Sequence, residues 1–250
     1  MAKHTTLKSL FTSIADAIRN KTGDSSMIAA DDFPDAINAI ETPENEDVIL
    51  SGSRIIEYTN NRISNVRPYA FYSHSYLQSV HLENAESIGN LGSGESFAEC
   101  YYLKSVSIPM ALSVSPRSFV GCSALSNVYS PKLLCIWDYA FYVCSSLTRL
   151  DIGNVTEEYY MTSIGHYAFS KSAIKTLIIR YTLSAFDLNN INAFENTPIA
   201  NGEGYIYVPR ALVEQYKTAE NWSTFADQIR ALEDYTFDGT ITGEFNYSLI

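Results

Sequence analysis

The residues with the greatest chemical capacity in this chain are four histidines, four cysteines and one adjacent glutamate pair, Glu157-Glu158. Catalysis would need such groups to converge as acid, base or nucleophile in a concave site. Metal binding would need His or Cys at ligand spacing. His4, His74, His81 and His166 form no H-x-x-x-H or H-E-x-x-H pair, and no C-x-x-C occurs. A G-x-S-x-G elbow, a P-loop and a dinucleotide fingerprint are all missing; Gly92-Ser93-Gly94-Glu95-Ser96 holds a bare G-x-G in a polar loop. Glu157-Glu158 has no basic or histidine partner close in sequence and reads as a solvated loop. We therefore expect no catalytic residues, no metal and no cofactor. A glycan-processing enzyme is the alternative from that class.

The cysteines carry a different message. Cys100, Cys122 and Cys144 each fall three residues after a phenylalanine, and His74 and Ser172 take the same place elsewhere. Residues at one repeat position stack as a column, and small buried thiols fill such columns well. Free structural thiols are the expected state, with disulfides or a metal as the competing readings. Cys135 stands outside the column.

That column belongs to a repeated phrase. Phe71 is followed by Leu77, Val80 and Leu82; Phe97 by Leu103, Val106 and Ile108; Phe119 by Leu125 and Val128. Phe141 leads Leu147, Leu150 and Ile152, Phe169 leads Ile174, Leu177 and Ile179 with one residue deleted, and Phe194 leads Ile199. The second half is L-x-x-L-x-L, the strand signature of a leucine-rich repeat. Its alternation suits a strand buried on one face. The phenylalanines are separated by 26, 22, 22, 28 and 25 residues, with extra residues at Glu83–Glu95 and Gly153–Met161. Each coil contacts only its neighbours, so such insertions can bulge from an edge.

The flanks are of other kinds. In residues 1–42, Leu7, Leu10, Phe11, Ile14 and Ile18 recur on one helical face, too apolar for a solvated helix. Two short helices there need a partner, so this module is expected to attach the chain to an assembly, to its own copies, or to its own first coil. Residues 43–62 read as an acidic linker, Thr42-Pro43-Glu44-Asn45-Glu46-Asp47, and a hairpin of Val48–Leu50 and Arg54–Tyr58 sealing the first coil. Repeats occupy 63–200 and a cap 201–235. In the cap, strand Tyr205–Val208 precedes a helix opened by Pro209 and a second helix capped by Asn221, with Trp222, Phe225, Ile229 and Leu232 buried. A tail, 236–250, follows.

The net charge of −11 argues against nucleic acid and anionic membranes. No apolar run reaches the roughly 18 residues of a membrane span. The N-terminal residues lack an apolar h-region, so no signal peptide is expected.

A repeat architecture builds surface, and this one is rich in tyrosine: 18 in 250 residues. Tyrosine offers rigid contact area with a polar tip at low entropic cost. Tyr76, Tyr101 and Tyr102 fall just before strands, and Tyr159 and Tyr160 crown the second insertion. Tyr69, Tyr139 and Tyr167 share one repeat position and read as structural packing. The residues flanking the second apolar position of each strand point outward. These are Ser79 and His81, Ser105 and Ser107, Asn127 and Tyr129, Arg149 and Asp151, and Thr176 and Ile178. The candidate binding surface is His81, Tyr129, Arg149 and Asp151 with the tyrosines that fall before strands or crown the insertion.

The phrase Asp138-Tyr139-Ala140-Phe141-Tyr142-Val143-Cys144-Ser145-Ser146-Leu147 resembles the BspA-like leucine-rich repeats, over about residues 55–200. Those bacterial repeats imply adhesion and protein binding. The segments Leu7–Gly23 and Asp32–Ile37, with the Val208-Pro209 and Asn221-Trp222-Ser223 close, are similar to phage and prophage tail or baseplate proteins of gut Firmicutes. The expected fold is an α/β repeat: a short leucine-rich solenoid of five to six coils, with a small helical N-terminal module and a strand-plus-helix C-terminal cap. The expected function is non-enzymatic binding, as a tail-associated protein that recognises a host-surface protein or glycan. Its partners would include tail or baseplate proteins, with self-association through the N-terminal helices, and the resemblance to tail proteins implies a location in a virion or in the bacterial cytoplasm before lysis. A bacterial adhesion or protein-interaction module is the alternative.

Overall fold

The computed structural model describes residues 55–90, 94–159 and 161–235. The N-terminal attachment face, the linker, most of the expected hairpin, Tyr160 and the C-terminal tail lie outside them. Within them the chain winds as stacked coils, each with a long strand and a short one, and every pairing is parallel.

The long strands are the second halves of the repeated phrase. β1 (Glu57–Thr59), β3 (Ser79–His81), β5 (Ser105–Ser107) and β7 (Asn127–Tyr129) form one four-stranded run. β9 (Arg149–Ile152), β11 (Thr176–Ile179), β13 (Tyr205–Val208) and β14 (Ile229–Ala231) form the next. The two-residue strands β2 (Asn65–Val66), β4 (Ser87–Ile88), β6 (Ser113–Val114), β8 (Cys135–Ile136), β10 (Ser163–Ile164) and β12 (Asp187–Leu188) make a six-stranded second face. Residues Glu57–Thr59 thus join the parallel stack against β3, where the sequence suggested the arm of a hairpin.

The third face has turns in place of strands, yet it is hydrogen-bonded from coil to coil. The Phe97, Phe119, Phe141 and Phe169 N–H groups donate to Ser118, Ala140, Ala168 and Ala193 carbonyls, each at 2.8 Å. Residues two before and two after the phenylalanine donate likewise around Phe97, Phe119 and Phe141, as Arg117 does to Asp138 and Glu99 to Val120, and Lys171 does so after Phe169. These flanking positions adopt positive φ: Tyr69, Glu95, Arg117, Tyr139 and Tyr167 before, Ser73, Glu99, Gly121, Val143 and Lys171 after. For Val143, at φ 59°, this is against local preference, because a β-branched side chain crowds the left-handed backbone. Three cross-coil hydrogen bonds per turn hold it there.

Inside this face the repeat phenylalanines stack. Ring centroids from Phe71 through Phe97, Phe119, Phe141 and Phe169 to Phe194 are 4.7, 5.1, 5.2, 5.6 and 5.5 Å apart, and successive planes are within 12° of parallel. Close to the spacing of adjacent strands, this distance lets one ring per coil form a continuous apolar column. The strand residues Leu77, Val80, Leu103, Val106, Leu125, Leu147 and Leu150 complete the core.

The cysteine column lies beside the rings. Cys100, Cys122 and Cys144 are buried and free, and their thiols donate to the carbonyls of Phe71, Phe97 and Phe119 at 2.9, 3.0 and 3.1 Å. Each thiol therefore ties one coil to the preceding one. Burial pushes the Cys100 thiol up to about 12, and it raises Cys122 and Cys144 as well. Only the thiolate is nucleophilic, so these three should resist alkylation in the native state and react on unfolding. Intact-mass analysis after a timed alkylation at neutral pH checks this; three rapid additions to folded protein would refute it. Because the folded pKa lies above the unfolded one, this contribution to stability is complete below pH 9.0 and declines as pH rises toward about 12.

At the far end the stack is closed by side chains. After Pro209 a 3-10 turn, Arg210–Leu212, runs into α1 (Val213–Thr218), and a second 3-10 segment spans Trp222–Gln228. Asn221 does not cap that segment: at φ 62° its side-chain amide donates instead to the Leu188 carbonyl at 2.7 Å. Trp222 Nε1 donates to the Phe186 carbonyl at 2.6 Å, and the Phe186 N–H donates to the Tyr216 hydroxyl at 2.9 Å. The Leu188 carbonyl of the edge strand β12, and the Phe186 amide and carbonyl just before it, are thus paired. Trp222 and Phe225 also cover Phe194, the last ring of the column. Ile229 is in β14, not on a helix, and Leu232 opens a short 3-10 turn, Leu232–Asp234.

Candidate interaction surface

The long strands place their outward residues in two columns. One runs Glu57, Ser79, Ser105 and Asn127, then Arg149, Thr176 and Tyr205. The other runs Thr59, His81, Ser107 and Tyr129, then Asp151, Ile178, Tyr207 and Arg230. His81 and Tyr129 therefore share a column two coils apart. His81 Nε2 lies 2.8 Å from Glu83, with both side chains exposed.

Toward the C-terminal end this face closes. Ile178 and Tyr207, outward by alternation, are 0% and 2% exposed. Tyr235 packs edge-on against Tyr207, and the Arg230 guanidinium lies 4.6 Å from the Tyr205 ring centre. Ile178 is therefore not part of a presented surface. Arg149 and Asp151 are brought together with a third residue that the strand pattern misses. Asp151 accepts from Arg180 Nε and Nη2 at 2.7 and 2.8 Å and from Arg149 Nη2 at 3.1 Å. Arg180 lies one residue past β11, where alternation no longer speaks. A bidentate bond between coils is stronger and better oriented than an ordinary surface pair, and it ties these two coils together.

The tyrosines separate into two groups. Tyr159 does not crown its insertion: its N–H donates to the Tyr181 hydroxyl at 3.1 Å and its ring packs on the core. Tyr139 and Tyr167 stack at 5.0 Å, as a structural column should. Tyr76, Tyr101 and Tyr102 are exposed by 47%, 48% and 60%. Tyr69 and Tyr72 join them at 55% and 46%, so five exposed tyrosines belong to the first two coils. The sequence assigned Tyr69 to packing and passed over Tyr72. The signal available was position: both fall on the turn face, which has no alternation to show which side chains point out. Tyr101 lies against Gly121 of the next coil, within contact distance of where a side chain there would begin.

Among the described residues no group of three or more His, Cys, Asp or Glu could hold a metal ion, and no helix is long and apolar enough to cross a membrane.

Parallel coils around a phenylalanine column, with L-x-x-L-x-L strands on one face, are the architecture of a leucine-rich-repeat solenoid. Residues 64–201 match the BspA type leucine-rich repeat region, in six copies, and the chain belongs to that family. No curated protein matches it. Among solved structures it is similar to a leucine-rich cell surface protein from Faecalibacterium prausnitzii A2-165, at 17% identity and a TM-score of 0.44, covering 79% of this chain and 54% of that one. It is also similar to a leucine-rich repeat protein from Bacteroides ovatus ATCC 8483, at 18% identity and a TM-score of 0.30, covering 62% of this chain and 55% of that one. The chain thus spans about half the length of these two proteins.

Proposed function

We propose that this chain is a protein-interaction or adhesion module that performs no chemistry of its own and binds a host-surface protein or glycan. The observation that carries this reading is the gathering of Tyr69, Tyr72, Tyr76, Tyr101 and Tyr102, all exposed, on the first two coils. The backbone beneath them is hydrogen-bonded from coil to coil, and a tyrosine side chain has few rotamers to lose on binding. Family membership supports the same reading.

A second reading rests on the sequence resemblance of Leu7–Gly23 and Asp32–Ile37 to phage tail proteins alone. In that reading the same surface is displayed on a virion, and residues 1–42 dock to a tail or baseplate protein or to a second copy. Labelled full-length protein can be offered to cultured epithelial cells and to intact Firmicute cells, with binding read by flow cytometry. Saturable binding to epithelial cells is expected for the adhesion module, and binding to bacteria alone for the tail protein. In either case, replacing Tyr76, Tyr101 and Tyr102 together by serine should weaken binding about tenfold or more without changing the melting temperature. Absence of binding to both, or release of sugars from a glycan substrate, would overturn the proposal.

A further inference from the structure

The coils are not joined equally. The residue just before a long strand donates its N–H to the coil before it: Lys104 to Gln78 at 2.8 Å, Ser126 to Lys104 at 3.0 Å, Lys175 to Thr148 at 2.8 Å. The residue just after a long strand donates to the coil beyond, as Leu82 does to Ser107 at 2.9 Å and Ile108 to Tyr129 at 2.8 Å. At the step from β7 to β9 both bonds are missing. These two strands are not paired, and neither the Thr148 N–H nor the Ser130 N–H has an acceptor among the described residues. The same two coils are nonetheless joined on their other faces. The Phe119 N–H donates to Ala140 at 2.8 Å and that of Gly121 to Tyr142 at 2.9 Å. Strand β8 pairs with β10, and the Gly165 N–H donates to Ile136 at 2.7 Å.

Ser130 marks the physical cause. It stands where other coils have Leu82, Ile108, Ile152 and Ile179, it is 1% exposed, and its hydroxyl has no hydrogen-bond partner. Serine gives up most of the apolar contact that presses one strand onto the next, and an unmet buried hydroxyl opposes tight closure. A hinge needs contacts kept along one line and absent along another, and this step has both. We infer that the solenoid is hinged between β7 and β9. Its long-strand face opens and closes there, about the Phe119–Phe141 stack and the β8–β10 pairing. Tyr129 belongs to the earlier half, and Asp151 is tied to the later half by Arg180. Their separation therefore follows the hinge angle, and a partner spanning both selects one setting.

Dipolar electron spin resonance on the full-length chain tests this. One nitroxide pair, at Ser105→Cys and Thr176→Cys, spans the seam; the control pair, at Glu57→Cys and Asn127→Cys, lies within the earlier half. Each pair is three strands apart in one outward column, and Cys135→Ser removes the half-buried thiol from both. The seam pair should give a distance distribution about twice as broad as the control, narrowed to the control's width by Ser130→Val. Amide hydrogen exchange reads the same device in the unaltered chain. Thr148 and Ser130 should exchange about a hundredfold faster than Lys175 and Ile108, with Phe119 and Gly165 still protected. Equal widths for the two pairs would overturn the hinge and leave a fixed gap. Exchange as slow at Thr148 as at Lys175 would overturn it by showing a closed face. Fast exchange at Phe119 and Gly165 as well would overturn it by showing a step loose on every side. A seam that stays broad with Ser130→Val would overturn the part assigned to Ser130.

Discussion

Phe119→Ala is expected to destabilise the solenoid by about 3–5 kcal/mol. Phe119 is fully buried, with Phe97 and Phe141 stacked on its two faces at 5.1 and 5.2 Å. Removing it opens a void that neither neighbour can fill, because each is held by its own coil's cross-coil hydrogen bonds. Stability in a solenoid is a sum of coil terms and nearest-neighbour interfaces, and this truncation damages two interfaces at once. Chemical denaturation with a fitted m-value measures it. A loss under about 1 kcal/mol would mean that the stacked column is not what holds the coils together.

Trp222→Ala should cost a comparable amount, about 3–5 kcal/mol, for a different reason. The indole covers the exposed end of the column at Phe194, packs edge-on against Tyr216 at 5.1 Å, and donates to the Phe186 carbonyl. Its loss leaves a cavity and an unsatisfied carbonyl at the edge strand β12. Trp222→Phe separates the two contributions: it keeps most of the apolar cover, and an unmet buried carbonyl costs about 1–3 kcal/mol. Hydrogen exchange should show the damage of Trp222→Ala concentrated in the last coils, with those around Phe97 still protected. Uniform loss of protection across all coils would show that the cap does not act locally.

How much of this was legible in the chain varies by face. On the long-strand face, L-x-x-L-x-L identifies both the buried set and the outward set, because alternation along a strand maps directly onto direction. Placing phenylalanine at one register position likewise identified the stacked column, and the spacing of Cys100, Cys122 and Cys144 identified the thiols beside it. Trp222 and Phe225 were recognised as buried in the cap. Their secondary structure was less legible, since apolar spacing does not distinguish an α-helix from a 3-10 segment followed by a strand. Ile229 shows this: its hydrophobicity suits either element, and pairing with β13 decides for the strand.

The candidate surface was legible only in part. Tyr76, Tyr101, Tyr102 and Tyr129 are exposed, as their positions suggested. Arg149 and Asp151 are joined by Arg180, 29 residues from Asp151 in the chain. No pattern within one coil announces the pairing of Asp151 with Arg180.

The amino-acid order by itself determined the coil: which residue faces inward, where the chain turns, and that repeating units must stack to bury what each leaves open. It could do so because those properties are local, set by side-chain direction within a few residues. Only the tertiary structure decided which side chains of successive coils meet. Stacking brings residues 22 to 30 positions apart within hydrogen-bonding distance, and the bonds so formed are strong enough to hold Val143 in a backbone conformation its own side chain disfavours.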